Sequence, residues 1–537
     1  MKEAGGLVFY STDVKISQFL STFAFGNILT PAEACFAATL VAAHDASVPP
    51  RMRHLRPDGC GVVSTTYVIV HLSPVSGFIM IVLKFGGTSV GTADSLANVK
   101  KIVQGLGQDA VVVVSALGGL TDRLIATARM AAAGDLNYIP ECELMAQRHY
   151  DIVQAVVPEE RREYTLTRIQ PVLRELRRLY DGVNLIADLP EKTLAQIVST
   201  GERMSSVIVA DMLGATHLDS LGIIRTEKWF GKDIAATDLT SGLIREALQP
   251  ADGLTFPVVM GGFISSDRQT GEITNLGRGG SDYTAALVAA AMDADVLQIW
   301  TDVDGFLTCD PRIVPQARVI DSMSFVESMD LCTFGAKVVY PPTIYPVFHK
   351  NIPIRILNTH RPEAPGTLIS DAHSSHPRTV TGLSALKDEA LVTLRGTLAT
   401  DSTAISTRCF NALARKGMTL HMVARSEAAG SFAFAIAAAD MPCAVKLLKE
   451  EFAPEFVDAE MEVLEVVTDL TTIAVVGDNV KNLSGGISRL KDILEMHGLT
   501  VRAYSDRTSE TALSLVVAAL DTTRALTALH RELFESL

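Results

Sequence analysis

"VLKFGGTSVG" spans residues 82–91. An apolar run carrying one cation, Lys84, breaks into Gly86-Gly87-Thr88-Ser89. Two readings stand open. In one, a strand ends in a turn and Lys84 snorkels to solvent along its aliphatic stem. In the other, the glycines let a polyanion approach backbone N–H groups while the lysine supplies a point charge. Short glycine motifs are common, so the choice falls to the rest of the chain.

Working outward, residues 80 to about 360 alternate short apolar strands with helical stretches. "IVLKFGG" leads into the helix-like "TADSLANVKKIVQGL", then "DAVVVVSA", then "LTDRLIATARMAAA". "FPVVMGGFIS", "DVLQIWTDVDG" and "IPIRILNT" read as further strands. A continuous apolar run such as "AVVVV" fits a parallel strand buried on both faces. The alternation predicts a three-layer α/β domain with a mostly parallel sheet. Residues 130–200 read as mostly helical.

Beyond a Pro/Ser/His-rich connector, placed at 371–388, the chain repeats itself. "KGMTLHMVARSEAAGSFAFAIAAAD" (416–440) is matched by "HGLTVRAYSDRTSETALSLVVAALD" (497–521), Gly417 answering Gly498. Each copy, 389–465 and 466–537, reads strand, helix, strand, strand, helix, which predicts two βαββαβ-type units. Such units suit small-ligand binding or dimerisation through sheet edges, and they carry no cluster of catalytic side chains.

The bulk numbers bound the class. A chain of 537 residues suggests roughly three or four domains. An apolar content of 48% with 20% charged residues fits a globular protein with large cores. Acids outnumber Lys plus Arg, 61 to 47, for a net charge of −14, which argues against nucleic-acid partners. No apolar run reaches the ~20 residues of a membrane span. Seven scattered cysteines without a CxxC pair indicate neither a disulfide framework nor a zinc ribbon, and a cytoplasmic setting is expected. His373 and His376 read as linker, and no metal ligand is assigned to the protein. Residues 1–79 lack the order of a signal peptide. Met80 stands directly before "IVLKF", so 1–79 reads as a dispensable or mis-assigned extension of unknown role.

Five more segments of the α/β part place polar groups at strand ends or glycine turns: "SALGGLTDR" (115–123), "VSTGER" (198–203), "NLGRGGSDYTAAL" (275–287), "WTDVDGFLTCDPR" (300–312) and "TFGAKVVYPPT" (333–343). Each alone reads as a turn or a helix cap. Together they gather at one sheet edge, where ligands bind in open α/β sheets. Two lysines, Lys84 and Lys337, with an arginine at that edge suggest phosphoryl transfer, which is mostly positioning and charge neutralisation. The chain has no GxxxxGK[ST] motif and no HRD or DFG set, which excludes P-loop and protein-kinase-like enzymes.

"KFGGTSV", "LGRGGSDYTAALVA", "IWTDVDG", "DPR" and "TFGAKVVYPPT" resemble the aspartokinases of the amino acid kinase family, from about Met80 to the C-terminus, with the repeats similar to that family's ACT domains. The resemblance implies an amino acid kinase-like αβα domain over 80–370 and two ferredoxin-like ACT domains. It implies ATP-dependent phosphorylation of the L-aspartate β-carboxylate, the first step of lysine, threonine and methionine biosynthesis, with ATP and Mg²⁺ as cofactors. Lys84 and Lys337 would neutralise phosphates, and Asp282 would hold both lysines. Gly86 and Gly87 would offer N–H groups to the phosphate chain. Arg278 would clamp the α-carboxylate and Glu202 would face the α-ammonium. Ser115, Thr121 and Ser281 would line the aspartate pocket. Thr301, Asp302, Leu307 and Arg312 would form the nucleotide side.

Two departures follow from the same resemblance. Some relatives carry a tyrosine at Leu307, and a leucine covers a nucleotide ring only by apolar contact. Lysine-inhibited relatives have an aspartate at His421, so an effector amine would lose its carboxylate. The implied effector segment is Met418, Thr419, Leu420, His421, Ser426 and Glu427, with threonine or another neutral amino acid expected over lysine, or no effect from either. A homodimer or higher homo-oligomer is the default. With the sequence ending at Leu537 just after the second repeat, no dehydrogenase part is expected. Another amino acid kinase, or a non-catalytic effector-binding homologue, is the alternative.

Overall fold

The computed structural model describes residues 80–106, 109–229, 232–249, 254–371, 379–396, 402–426, 431–457, 461–506 and 509–535. The extension 1–79 lies outside them. Eight strands form the main sheet: β1 (Ile81–Phe85), β2 (Ala110–Val114), β3 (Thr216–Leu218), β4 (Val258–Gly261), β5 (Val296–Thr301), β6 (Ser322–Met323), β7 (Ile354–Asn358) and β8 (Thr367–Ile369). Their order is β6-β8-β7-β5-β1-β2-β4-β3, and every pairing is parallel except β7 with β8.

The helices between them include α1 (Ala93–Gly105), α2 (Leu120–Ala132), α3 (Tyr138–Val156), α4 (Glu159–Ile186), α5 (Glu191–Leu213), α6 (Gly280–Ala291) and α7 (Phe325–Thr333). Two of these starts are written locally: Thr92 and Ser95 make a capping box for α1, and Ser324 and Glu327 make one for α7. The period of two sorts each strand between two cores. Ile81, Leu83 and Phe85 pack with α1 to α5, whereas Val82 packs with α6 and α7. Lys84 shares the parity of Val82, so its side chain is aimed at the α6 face.

The C-terminal part holds β9 (Gly382–Gly396), α8 (Ser402–Ala414), β10 (Leu420–Ser426), β11 (Ser431–Ala437), α9 (Met441–Glu451), β12 (Met461–Val476), α10 (Gly486–Met496), β13 (Ala503–Ser505), β14 (Ala512–Ala518) and α11 (Thr522–His530). These strands form one antiparallel sheet in the order β10-β11-β9-β12-β14-β13. The two central strands are long and shared. The start of β9, 382–386, pairs with 472–476 of β12 beside the second repeat, and its remainder pairs with β11 and with 461–470 of β12. Each repeat therefore completes its four strands by borrowing one from the other. Both shared strands bend at an aspartate with positive φ, Asp388 (+60°) and Asp469 (+56°), spaced like Gly417 (+67°) and Gly498 (+68°).

This exchange corrects two boundaries. The connector drawn at 371–388 ends earlier, because a strand starts at Gly382. The division at 465/466 falls inside β12. Local pattern assigns a strand to its own repeat, but a lone βαββα unit leaves an unpaired sheet edge that the borrowed strand closes. Among the described residues no helix is long and apolar enough to cross a membrane, and Cys142, Cys309, Cys332, Cys409 and Cys443 are free thiols.

Candidate active site

Lys84 is 9% exposed, and its Nζ lies 2.5 Å from Asp282 Oδ1 in the first turn of α6. The side chain does not snorkel to solvent. The ends of β1 and β2 and the N-termini of α2 and α6 surround a cavity of about 330 Å³. Lys84, Gly87, Ser115, Thr121, Glu202, Ser281 and Asp282 line it together. Helix N-termini present free N–H groups and positive dipole ends, so two of them beside one lysine favour an anion. The loops after β1 and β2 approach backbone to backbone: a Cβ on Gly118 would stand 2.9 Å from the Gly87 carbonyl oxygen. Gly86 is buried behind Lys84, its N–H donating to the Trp300 carbonyl at 3.1 Å.

Glu202 enters from α5. It is 3% exposed, and its Oε2 has no hydrogen-bond partner. Burial pushes its carboxyl up to about 8, opposed by the backbone N–H of Ala116. A buried carboxyl with one oxygen left unpaired, facing a cavity, is costly unless a ligand completes it.

Among the wall residues, Asp122 lies inside "SALGGLTDR" but has no role in the sequence reading, and Phe263 lies outside the segments that place polar groups at strand ends or glycine turns. Phe263 has φ +66°, an outlying conformation for a bulky residue of the kind that gathers at functional sites. Its N–H donates to Thr284 Oγ1 at 3.1 Å, and its carbonyl accepts from Leu276 N–H at 2.9 Å. Nothing local in "GGFIS" signals this.

The other expected residues stand outside that wall. Arg278 is exposed, on a loop whose flanking Gly277 and Gly279 do line the cavity. Thr301 ends β5, and its hydroxyl donates to Asp302 at 3.2 Å. Leu307 bridges to Val319 at the base of a hairpin spanning 305–320. At its tip Arg312 pairs with Asp310 at 2.7 Å and is 85% exposed; this guanidinium holds the Asp310 carboxyl below the usual carboxylate range. Lys337 is exposed. Asp282 was expected to hold both lysines; its ion pair among the described residues is with Lys84.

Met418, Thr419, Leu420, His421 and Ser426 lie on the approach to β10 and along it, and Glu427 is outside the described residues. The premise that an amine here would find no carboxylate is corrected. Glu389, on the neighbouring stretch of β9, is 1% exposed, and its Oε1 lies 2.9 Å from His421 Nδ1. Thr472 donates to its other oxygen at 3.4 Å. The pair escapes a sequence reading because 32 residues separate its members.

A model described as the Amino acid kinase family matches residues 80–358, and an ACT domain model matches residues 473–533. The bifunctional aspartokinase/homoserine dehydrogenase of Haemophilus influenzae is 31% identical over 469 residues, covering 85% of this chain and 57% of that protein. The chain thus spans little more than half the length of that relative. The lysine-sensitive aspartokinase 3 of Escherichia coli is 30% identical over 471 residues, covering 85% of this chain and 99% of the relative. Among solved structures, Escherichia coli aspartokinase III in complex with aspartate and ADP (R-state) superposes with a TM-score of 0.72 at 29% identity, covering 85% of this chain and all of that one.

Proposed function

We propose that this chain, which belongs to the amino acid kinase family, transfers the γ-phosphoryl group of ATP to the β-carboxylate of L-aspartate, giving 4-phospho-L-aspartate and ADP. The observation that carries the reading is a buried Lys84–Asp282 pair sharing one cavity with a buried Glu202 whose Oε2 has no partner. The acceptor carboxylate is already ionised at pH 7 and needs no base. The difficulty is bringing an anion against a triphosphate, which fixed cations and N–H groups overcome. A carboxylate oxygen forms the new bond to the γ-phosphorus as the bond to the β–γ bridging oxygen breaks.

Asp282 fixes the ammonium of Lys84 where the transferring group would pass. The N–H groups around Gly87, Gly118 and Ser281 would meet phosphate and carboxylate oxygens. Glu202 would take the α-ammonium, whose charge returns its carboxyl to the ionised form. Arg278 would fold from its loop onto the α-carboxylate, a fit for its planar fork. Lys337, Thr301, Asp302, Leu307 and Arg312 form the nucleotide side in this reading. Mg²⁺ would arrive on the phosphates of ATP and supply charge neutralisation there.

The C-terminal sheet would bind an amino acid effector along β10 and join two copies of the chain. Glu389 is already engaged by His421 and Thr472, which favours threonine or another neutral effector over lysine. The catalytic reading is tested by incubating the protein with ATP, Mg²⁺, aspartate and hydroxylamine. Aspartyl hydroxamate is expected; hydroxamate from glutamate or acetylglutamate instead would replace aspartate as substrate, and none from any of them would leave an effector-binding homologue.

A further inference from the structure

The nucleotide-side hairpin 305–320 does not fold on the catalytic sheet alone. Cys309 and Val314 belong to the hydrophobic core of the second repeat, with Leu383, Leu515, Leu529 and Phe534. Between Leu307 and Cys309 sits Thr308, 6% exposed. Its backbone carbonyl accepts from Leu383 N–H at 2.8 Å, its backbone N–H donates to the Arg318 carbonyl at 2.9 Å, and its Oγ1 accepts from Arg318 N–H at 3.0 Å. The remaining valence of that hydroxyl is met by His530, at the end of α11, whose Nε2 lies 3.0 Å away.

His530 is 1% exposed and stacked on Phe534 at 4.8 Å. Its Nδ1 lies 2.9 Å from Glu535 Oε1. A carboxylate only accepts, so Nδ1 carries the proton of that bond, and the Thr308 hydroxyl, which accepts from Arg318 N–H, turns its own proton to Nε2. Glu535, His530, Thr308 and Arg318 thus form a chain of bonds in which each donor has one acceptor. It runs from the last helix to both sides of the hairpin base, where Leu307 bridges to Val319, below the turn that carries Asp310 and Arg312.

We propose that His530 is a positioning residue for nucleotide binding, fixing the hairpin 305–320 through Thr308. The inference rests on the aspartate kinase reading, which makes that hairpin the nucleotide side. The histidine touches no reacting atom. It sets the register at the hairpin base, and so the place of Arg312 and Leu307 at the nucleotide.

The test measures initial rates against ATP and aspartate, with calorimetric titration of ADP, for the full chain and for His530→Ala, His530→Gln and Thr308→Val. His530→Ala should raise the KM for ATP and the Kd for ADP about tenfold, an effect on the scale of one buried hydrogen bond to a ring nitrogen. The KM for aspartate and kcat should stay within about twofold. His530→Gln, which can still accept from Thr308, should restore most of the loss. Thr308→Val should match His530→Ala, and the double variant should be no worse than either, as expected for one shared interaction. A lowered Tm with ATP and ADP parameters unchanged, or an equal rise in both KM values, would overturn the assignment. If His530→Ala does not fold, Thr308→Val decides by the same criteria. Wild-type protein that binds ADP yet phosphorylates no aspartate would refute the catalytic reading, while the ADP titrations would still judge His530.

Discussion

The aspartate side and the nucleotide side of the proposed site are built differently. At the first, Glu202 and Ser281 are buried and come from α5 and α6, beside the buried Lys84–Asp282 pair of β1 and α6 that would meet the transferring phosphoryl group. At the second, Asp302, Arg312 and Lys337 are exposed, and the segments that carry Arg312 and Lys337 lean on the C-terminal sheet. The lean is specific. Ser384 of β9 accepts from Ala336 N–H at 3.1 Å and donates to the Leu331 carbonyl at 2.8 Å, one residue before Lys337. Gly335, at φ +115°, leaves room for the Ala385 carbonyl, which a Cβ would meet at 2.3 Å. Thr381 and the backbone of Asp478 donate to Glu327 at 2.5 and 3.0 Å, and Thr511 donates to Asp330. In the proposed reading, a preorganised acceptor site and a nucleotide site that depends on a second sheet would give an effector a place to act without disturbing the aspartate pocket.

The largest effect expected is from Lys84→Met. It removes the fixed cation and should lower kcat by roughly 10²-fold or more. It also leaves Asp282 buried without its partner, so stability should fall by about 3–5 kcal/mol. Rate assays and chemical denaturation check both; near-normal turnover would take Lys84 out of the chemistry.

Glu202→Gln comes next and touches only the aspartate side. The KM for aspartate should rise about 30-fold, a loss of ~2 kcal/mol from one charge-assisted bond, with the KM for ATP little changed. Its pH signature is distinct. The folded carboxyl titrates near 8, above its unfolded value. Between the two values the unfolded chain has lost a proton that the folded one keeps, so this group's contribution to stability falls as pH rises through that window. Thermal melts of the wild type should therefore decline from pH 5 to pH 8 more steeply than those of Glu202→Gln. Aspartate binding at pH 7 should release a proton in the wild type and none in the variant, as read by calorimetry in two buffers.

The smallest effect is the mirror case. Ser384→Ala removes two hydrogen bonds from the turn before Lys337. It should raise the KM for ATP about fivefold and leave that for aspartate unchanged. A rise in both would erase the distinction between the sides.

What the sequence discloses follows the same division. β1 and β2 could be read because both their faces are buried, which writes a continuous apolar run. The glycine-bearing loops after β1 and β2 could be placed at one edge because parallel strands deliver their ends there, whereas "VSTGER", read as a strand end or turn, lies inside α5, and Glu202 reaches the cavity from a helix. The strand exchange between β9 and β12 was hidden, since periodicity reports that a strand is half-buried and not which neighbour it pairs with. The Glu389–His421 pair was hidden by distance along the chain, as was the bond from Thr308 to His530, 222 positions away. Phe263 was hidden because its backbone conformation is imposed by packing against Gly280 and the Thr284 hydroxyl.

Hydrogen–deuterium exchange on the full chain, with ADP alone and with aspartate alone, tests the division most directly. ADP should slow exchange in 305–320 and 334–340 and also in 381–386 and 526–535 of the C-terminal sheet and its last helix. Aspartate should slow exchange around 115–121 and 276–282 and leave the C-terminal segments unchanged. Equal protection of those segments by both ligands, or by neither, would contradict a nucleotide site held in place by the C-terminal sheet.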